Sequence, residues 1–447
     1  MSNLILIALI FLTAYFVIKP TVFFRSGFQL NLVTAPILVL LFTILFGLVD
    51  FNTIAQGILG SGTIIPWKVL IIFFGSAFIS ISADKSGIFD HISVLFLNKA
   101  RGRGVVLFVI TYCFAWFLSV FASNDIVILT LTPIVFYFSI YSNVNVIPLL
   151  FAEFIAANNG IFFITGNPVD TIIATSLNID QTSYIINTIS PTIVLSLVSL
   201  VLLFLYFRKV ITKNYKVKNL LRSVRNWFDA KLSMVLLIAV IACLLISSYL
   251  KMDLWLIVLC GFGLFVIKDL FIPFLYHHKL FESAHGKLWR IHQTIVGMPW
   301  DILPFILTMF ILMVALDQNG FFNIISIWLT QVVQTSSLKA SLVFGVLSLL
   351  TENMVNNQPM AIMFSHIFTN ANLQISPKAF KAGLYAVILA GNAGASLTMV
   401  GALAGLMWQK ILRHKGMVIS YWDFTKVGLF VVLPSVIISF FVLAFTL

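Results

Sequence analysis

Four short polar breaks interrupt the long apolar runs of this chain, and they hold the residues best suited to chemistry. They are Ser123-Asn124-Asp125, Asn158-Asn159-Gly160, Asn356-Asn357-Gln358-Pro359 and Gly391-Asn392-Ala393-Gly394. Backbone released from helical bonding inside a bilayer is tolerated only where protein or a cavity satisfies it. A helix N-terminus at such a break offers unpaired N–H groups and a positive dipole end to an anion or an oxygen-rich solute. Unwound carbonyls and Asn side chains offer oxygen ligands to Na⁺ or to a proton carrier. A single break is more simply a pair of helix caps. Four breaks paired in register point to one shared midplane site. Its solute-binding candidates are Ser123, Asn124, Asn158, Asn159, Gly160, Asn356, Asn357, Gln358, Asn392, Gly394 and Thr398.

Carboxylates supply the coupling candidates. Asp125 lies between VFAS and IVILTLTPIVF, with no basic residue within twenty positions. Placing a carboxylate centrally in a membrane costs about 2.5–3.5 kcal/mol on insertion scales. A group whose charge is that costly suits a proton carrier, and it also suits the N-cap of a helix starting at Ile126. Glu352, in LLTENMVNNQP, and Glu153, in LLFAEFIAANNG, are the next two; the alternative for each is a hydrogen bond between helices. Asp170 follows Gly166-Asn167-Pro168 and either lines the site or caps a helix. His366 reads as a packed neutral histidine, Asp84 and Asp317 as helix-end caps, and Lys68 and Asp301 as interfacial anchors. Cys113, Cys243 and Cys260 sit in apolar segments with no CxxC or Cys/His cluster, so no thiolate metal cage is expected.

The elements that position these residues are membrane helices. The chain of 447 residues is 60% hydrophobic and 9% charged, with a mean hydropathy of +1.07. A soluble surface needs more charge than that. The runs 37–49, 105–121, 191–207, 234–246 and 429–447 are long and apolar, as a polytopic helical membrane protein requires. The N-terminus lacks a basic stretch and a cleavage site, and reads as a first spanning helix.

The chain also repeats itself at an offset of 233 residues. Ile65–Ser93 aligns with Met298–Ser326, with 8 of 29 positions identical, including Pro66/Pro299, Trp67/Trp300, Asp84/Asp317 and Gly87/Gly320. The same offset carries Ser123-Asn124-Asp125 onto Asn356-Asn357-Gln358, and Asn159 and Thr165 onto Asn392 and Thr398. Upstream of about Met298 the copies fall out of register.

Charge gives the copies a direction. Lys85, Lys99, Arg101 and Arg103 follow Asp84, whereas 317–337 has no Lys or Arg. Lys287 and Arg290 precede the second copy, whereas 51–66 is uncharged; Lys410, Arg413 and Lys415 have only Asp180 opposite them in 177–190. By the positive-inside rule the halves face opposite ways. That rule also explains the net charge of +12 without nucleic acid. The expected fold is all-α and polytopic, with two inverted-topology repeats. Each has about five spans, a re-entrant hairpin (104–122 with 126–141 in the first) and a broken helix (146–178). Residues 1–207 form the first repeat, 208–231 a basic cytoplasmic linker along the lipid headgroups, and 232–447 the second repeat.

A family resemblance covers nearly the whole chain. FASNDIVILTLTPIVF (121–136) resembles the first signature of the arsenite efflux permeases of the ion transporter superfamily, and MVNNQP (354–359) is similar to the second. Residues 391–430, with a Gly-rich break, Thr398, Gly401, a Leu-Trp span and a basic loop ending in Ile-Ser-Tyr-Trp, resemble the C-terminal signature. The resemblance implies two hairpins, a site between hairpin tips and broken helices, and proton-driven efflux of arsenite or antimonite. Ala395-Ser396 and Thr398-Met399-Val400-Gly401 stand where the permeases usually carry Pro-Lys and Thr-Pro-Ile-Gly. Gly166-Asn167-Pro168 is closer to the superfamily at large, with its sodium/proton antiporter and carboxylate symporter branches.

The expected function is secondary transport across the plasma membrane, with H⁺ as coupling ion and Na⁺ as the alternative. The first cargo is neutral arsenious acid, hydrogen-bonded by Asn124, Asn159, Asn357 and Asn392. The second reading is Na⁺/H⁺ exchange or sodium-coupled anion uptake; the absence of Lys and Arg from the four breaks weighs against a multivalent anion. An enzyme or scaffold should show polar catalytic loops, and the loops here are only basic or neutral. No cofactor or metal is expected. Partners are membrane lipid and a small inorganic solute or ion, with a second copy and a soluble ATPase subunit as further possibilities, and no nucleic acid.

Overall fold

The computed structural model describes the chain apart from residues 1, 19–20, 24–27, 61–64, 90, 92–98, 120–122, 214–225, 248–251 and 276–288. Nineteen α-helices are described: α1 (Ser2–Ile18), α2 (Thr34–Leu45), α3 (Phe51–Leu59), α4 (Pro66–Lys85), α5 (Gly104–Leu118), α6 (Asn124–Ser142), α7 (Ile147–Asn159), α8 (Pro168–Ser176), α9 (Gln181–Ile211), α10 (Trp227–Leu245), α11 (Leu254–Leu275), α12 (Trp289–Val296), α13 (Ile302–Gln318), α14 (Phe321–Val333), α15 (Ser337–Val355), α16 (Asn357–Thr369), α17 (Pro377–Ala393), α18 (Leu403–His414) and α19 (Tyr421–Thr446). An antiparallel ribbon, β1 (Thr21–Phe23) with β2 (Phe28–Leu30), is an addition to the all-helical expectation.

Local chemistry sets the helix starts. Pro148, Pro168 and Pro377 stand in the first turns of α7, α8 and α17, where a missing N–H costs nothing. Asn167, Asp180, Asn226, Ser336, Ser376 and Ser420 accept from free N–H groups at the starts of α8, α9, α10, α15, α17 and α19.

α4, α9, α10, α11, α15 and α19 are each long and apolar enough to cross a membrane. α13 and α14 form an apolar pair bent by 74° at Asn319-Gly320, where Gly320 has φ +72°, as a broken span or a re-entrant loop is. Among the described residues six to seven spans are long enough, against the ten expected, and several other helices are too short to cross alone. α7 and α8 hold 13 and 9 residues against the roughly 20 that a crossing needs. The long helices other than α4 carry much of the exposed apolar surface. Leu205, Phe271 and Phe445 on them are exposed, as lipid-facing side chains are. The short helices α7, α8, α16 and α17 are almost wholly buried inside.

Helix boundaries follow the 233-residue offset. α5 opens at Gly104 and α15 at Ser337; α6 opens at Asn124 and α16 at Asn357. Packing is reciprocal across the two halves. α4 packs on α10, α11 and α12, while α13 packs on α1, α2 and α3. α16 packs on α8, and α6 on α18. α5 lies against α7 as α15 lies against α17, and the long α9 and α19 pack on each other. The chain is thus an all-helical, multi-span membrane protein.

The expected linker is shorter than 208–231. α9 runs through Ile211 and α10 begins at Trp227, with Lys216, Lys218, Arg222 and Arg225 outside the described residues. Asp229 is buried in the first turn of α10, where Arg290 and Lys268 pair with it.

Candidate functional site

Each of the four polar breaks lies at the start or the end of a helix. The first lies between α5 and α6, the second between α7 and α8, the third between α15 and α16, and the fourth between α17 and α18. Asn356 adopts φ +82° at the third, a conformation that costs an ordinary residue energy and persists where its surroundings hold it. Its amide nitrogen donates to the Val400 carbonyl at 3.4 Å, and the Asn357 N–H donates to the Gly401 carbonyl at 3.0 Å. The third and fourth breaks are therefore stitched together. Thr398 adds a hydrogen bond to Asn353 at 2.6 Å.

In the first half, Asn124 donates to the Asn158 side-chain oxygen at 2.8 Å, joining the start of α6 to the end of α7. The Asn159 amide turns instead toward Ser199 on α9, at 3.0 Å, and Tyr112 on α5, at 3.4 Å. Glu153, one turn earlier on α7, accepts from Thr132 at 2.5 Å and so joins α7 to the middle of α6. Ser123 is partly exposed and lines a small cavity of about 40 Å³ with Ser76, Ser80, Ser119, Thr165 and Gly166. The side chain of Asp125 lies outside the described residues; its backbone falls in the first turn of α6.

The two halves meet at Asn392. Asn167 donates to Asn392 at 2.8 Å, and Asn392 in turn donates to Asp170 at 2.7 Å. All three are buried. Asp170 therefore belongs with the breaks and not to a remote cap. Asn167, which the sequence argument passed over as a binding residue, does too. The signal for it was present in the Gly-Asn-Pro break, whose Asn could have been weighed like the other four.

Glycine makes the close approaches possible. A Cβ on Gly160 would lie 1.5 Å from Ser119 Oγ, and one on Gly394 would lie 2.2 Å from Glu352 Oε2. Ser119 and Glu352 are separated by the repeat offset. A closely similar contact, the end of α5 or α15 resting on the neighbouring break, is thus a hydroxyl in one case and a carboxylate in the other. Both Glu352 oxygens are buried without a hydrogen-bond partner among the described residues, as are Asn356 Oδ1, Asn357 Oδ1, Gln358 Oε1 and Ser396 Oγ. Buried polar atoms are ordinarily satisfied, so such a group marks a site that something else completes. No group of three or more metal-ligating His, Cys, Asp or Glu side chains occurs among the described residues.

Asp84 and Asp317 do more than close their helices. Asp84 accepts from Thr130 on α6 at 2.8 Å, and Asp317 faces His366 on α16 at 3.6 Å. Each repeat-paired aspartate thus meets the helix that opens at the following polar break. His366 is buried and stacks on Phe322, ring centroids 5.1 Å apart. Lys68 pairs with Asp253 at 3.1 Å, and Asp301 makes no side-chain cap.

The profile of a family of citrate transporters (CitMHS) matches residues 13–382. The chain belongs to that family. The chain is 25% identical over 396 residues to the arsenical pump membrane protein of Escherichia coli K12, covering 86% of this chain and 87% of that one. It is 23% identical over 378 residues to a putative arsenical pump membrane protein of Bacillus subtilis, covering 80% and 83%. It is 22% identical over 384 residues to an uncharacterized transporter of Mycobacterium tuberculosis, covering 84% and 85%. Its fold is similar to that of the YdaH transporter of Alcanivorax borkumensis, with TM-score 0.55, 15% identity, and 99% and 97% of the two chains covered. The protein is an integral multi-pass membrane transporter of this family and not an enzyme.

Proposed function

We propose that the protein exports arsenite or antimonite across the plasma membrane in exchange for protons, by alternating access between two inverted halves. The observation that carries this reading is the chemistry of the breaks. Asn124 bonds Asn158, Asn167 bonds Asn392, Asn356 and Asn357 tie the third break to the fourth and keep unpartnered buried oxygens, and no Lys or Arg lies in any of the four breaks. Amides and hydroxyls both donate and accept, which suits a neutral trihydroxide. A tricarboxylate would need buried positive charge to offset its desolvation. The similarity to arsenical pump membrane proteins supports the same choice. Asp125 and Glu352 are the coupling residues of this reading, with Glu153 and Asp170 beside the path. The inverted arrangement is supported by the reciprocal packing of α4 and α13 and by the opposed loop charges.

A second reading keeps the fold and changes the ion. The unpartnered oxygens of Glu352, Asn356 and Asn357 are also the ligand type of Na⁺, so sodium-coupled transport of an anion is the alternative. Flux into everted vesicles separates the two. Arsenite accumulation that rises with an acid-inside pH gradient and ignores Na⁺ supports export. Citrate movement that requires Na⁺, with no arsenite movement, rejects it.

A further inference from the structure

A cavity of about 310 Å³ lies apart from the polar breaks, at the end of the bundle where α4 begins and α8 ends. Lys68, Thr175, Asn178, Asp180, Ser247 and Asp253 give it its polar character. Two features mark it as more than a surface dent. Ser247 is 2% exposed, and its hydroxyl has no hydrogen-bond partner among the described residues. Thr175 is half-buried, and its Oγ1 is likewise without a partner among the described residues. Two orphaned hydroxyls far apart in the chain, one on α8 and one just beyond α10, thus border one cavity. Its wall is braced by Lys68, whose ammonium meets Asp253 at 3.1 Å, and by Trp255, whose indole N–H donates to Asp253 at 2.8 Å.

The cavity sits in line with the breaks. Ile72 borders it, and Ser76, one turn further along α4, borders the 40 Å³ cavity that reaches Ser123 and Thr165. Leu254 and Val258 stand in the same relation on α11. Leu244 near the end of α10 borders the smaller cavity and Ser247, just beyond that helix, the larger. Two helices therefore contribute to both cavities in the same order, with the end of α10 alongside, which makes the larger one the mouth of a route to the first polar break.

We propose that this vestibule is a second binding station, on the face opposite the basic loops, for a small neutral hydroxylated solute. Thr175, Ser247 and Lys68 donate to the solute's oxygens, and its hydroxyls donate to the carboxylates of Asp180 and Asp253. One ammonium against two carboxylates gives the walls no net positive charge to hold a multivalent anion. The vestibule loads or releases solute before the polar breaks are reached. Its location on the outer face and the cargo rest on the function proposed above.

Two measurements on the full chain in proteoliposomes test it. With Cys113, Cys243 and Cys260 replaced by Ser, Thr175→Cys should react with a membrane-impermeant thiol reagent from the outer face alone. Reaction from the inner face, or none from either, overturns the proposal. The second compares exchange kinetics from each face, with arsenite and citrate as probes. Losing two hydrogen bonds in Thr175→Val/Ser247→Ala should raise the outer-face KM about five- to tenfold, with no matching rise on the inner face. An equal KM on the outer face, or a lower maximal rate at unchanged KM, overturns the vestibule as a binding station. If the wild-type chain exchanges citrate and not arsenite, the arsenite reading falls, and the face-specific KM for citrate then decides the vestibule.

Discussion

Glu352 and Ser119 show how one residue changes what a repeated contact can do. Both rest against a glycine of the neighbouring break, but only Glu352 can exchange a proton. Glu352→Gln keeps the shape and removes the proton. It is expected to reduce pH-gradient-driven accumulation at least about tenfold while solute exchange at equal pH survives, as radiotracer exchange in vesicles would show. Asp253 behaves differently. The Trp255 indole N–H, and then Lys68, hold its carboxyl below the ordinary value of 3.8. Because its pKa is depressed on folding, the stabilisation is present above the unfolded value and is lost only as pH falls through the folded one. Asp253 therefore stays ionised from pH 5 to 8. Asp253→Asn should leave the shape of the flux–pH profile in that range unaltered, and a shifted midpoint would contradict this assignment. The polar residues of the breaks were legible in the sequence because each stands alone among apolar neighbours. The meeting of Asn392 with Asn167 and Asp170 was not, since these partners are more than 220 residues apart in the chain. Thr175 and Ser247 escaped notice because a lone hydroxyl in a helix usually bonds its own backbone.

At the scale of elements, the account rests on short helices stopped at polar breaks and pressed close through glycine. Gly394→Ala puts a methyl group into the carboxyl of Glu352, and Gly160→Ala puts one into Ser119. Each should destabilise the fold by about 1–3 kcal/mol, read as a lower unfolding midpoint in detergent, because neither neighbour is a free chain end. Gly394→Ala should also impair proton coupling, whereas Gly160→Ala should not, if Glu352 carries the proton. The helix order from α4 onward was largely readable, since hydrophobic runs, Pro and polar breaks mark its limits. α3 was missed: nine residues beginning at Phe51 give no spanning signal. It is placed by Gly57 against Ile311 and by Thr53 bonding Gln318 at 2.8 Å. The paired aspartates were taken for caps because a sequence shows a helix end but not the helix that crosses it. Asp84 and Asp317 instead tie α4 to α6 and α13 to α16.

At the scale of the whole molecule, each half lends its leading helices to the other. α4 sits among α10, α11 and α12, and α13 among α1, α2 and α3. The exchange requires the leading helices of the second half to hold together, and a buried charge network does this. Lys268 meets Asp269 at 3.0 Å and Asp229 at 3.4 Å, while Arg290 pairs with Asp229 and with Asp269 at 3.1 Å. Ser233 and Thr294 complete the set at 2.9 and 3.2 Å. Arg290→Met leaves two buried carboxylates facing one ammonium. It should cost about 3–5 kcal/mol, measured by thermal unfolding in detergent, and an unchanged midpoint would show that the network is dispensable. Repeat and charge placement give the expectation of two inverted halves that the proposed function carries. The packing of the leading helices was not readable from the sequence, because the copies lose register there and hydropathy reports depth without neighbours. The central claim is that solute and proton move through one site in opposite directions. The most direct measurement follows lumenal pH in everted vesicles with a trapped dye while arsenite is added outside. The account predicts lumenal alkalinisation as arsenite enters, lost in Asp125→Asn. Arsenite uptake with no pH change, or the same alkalinisation in Asp125→Asn, would contradict it.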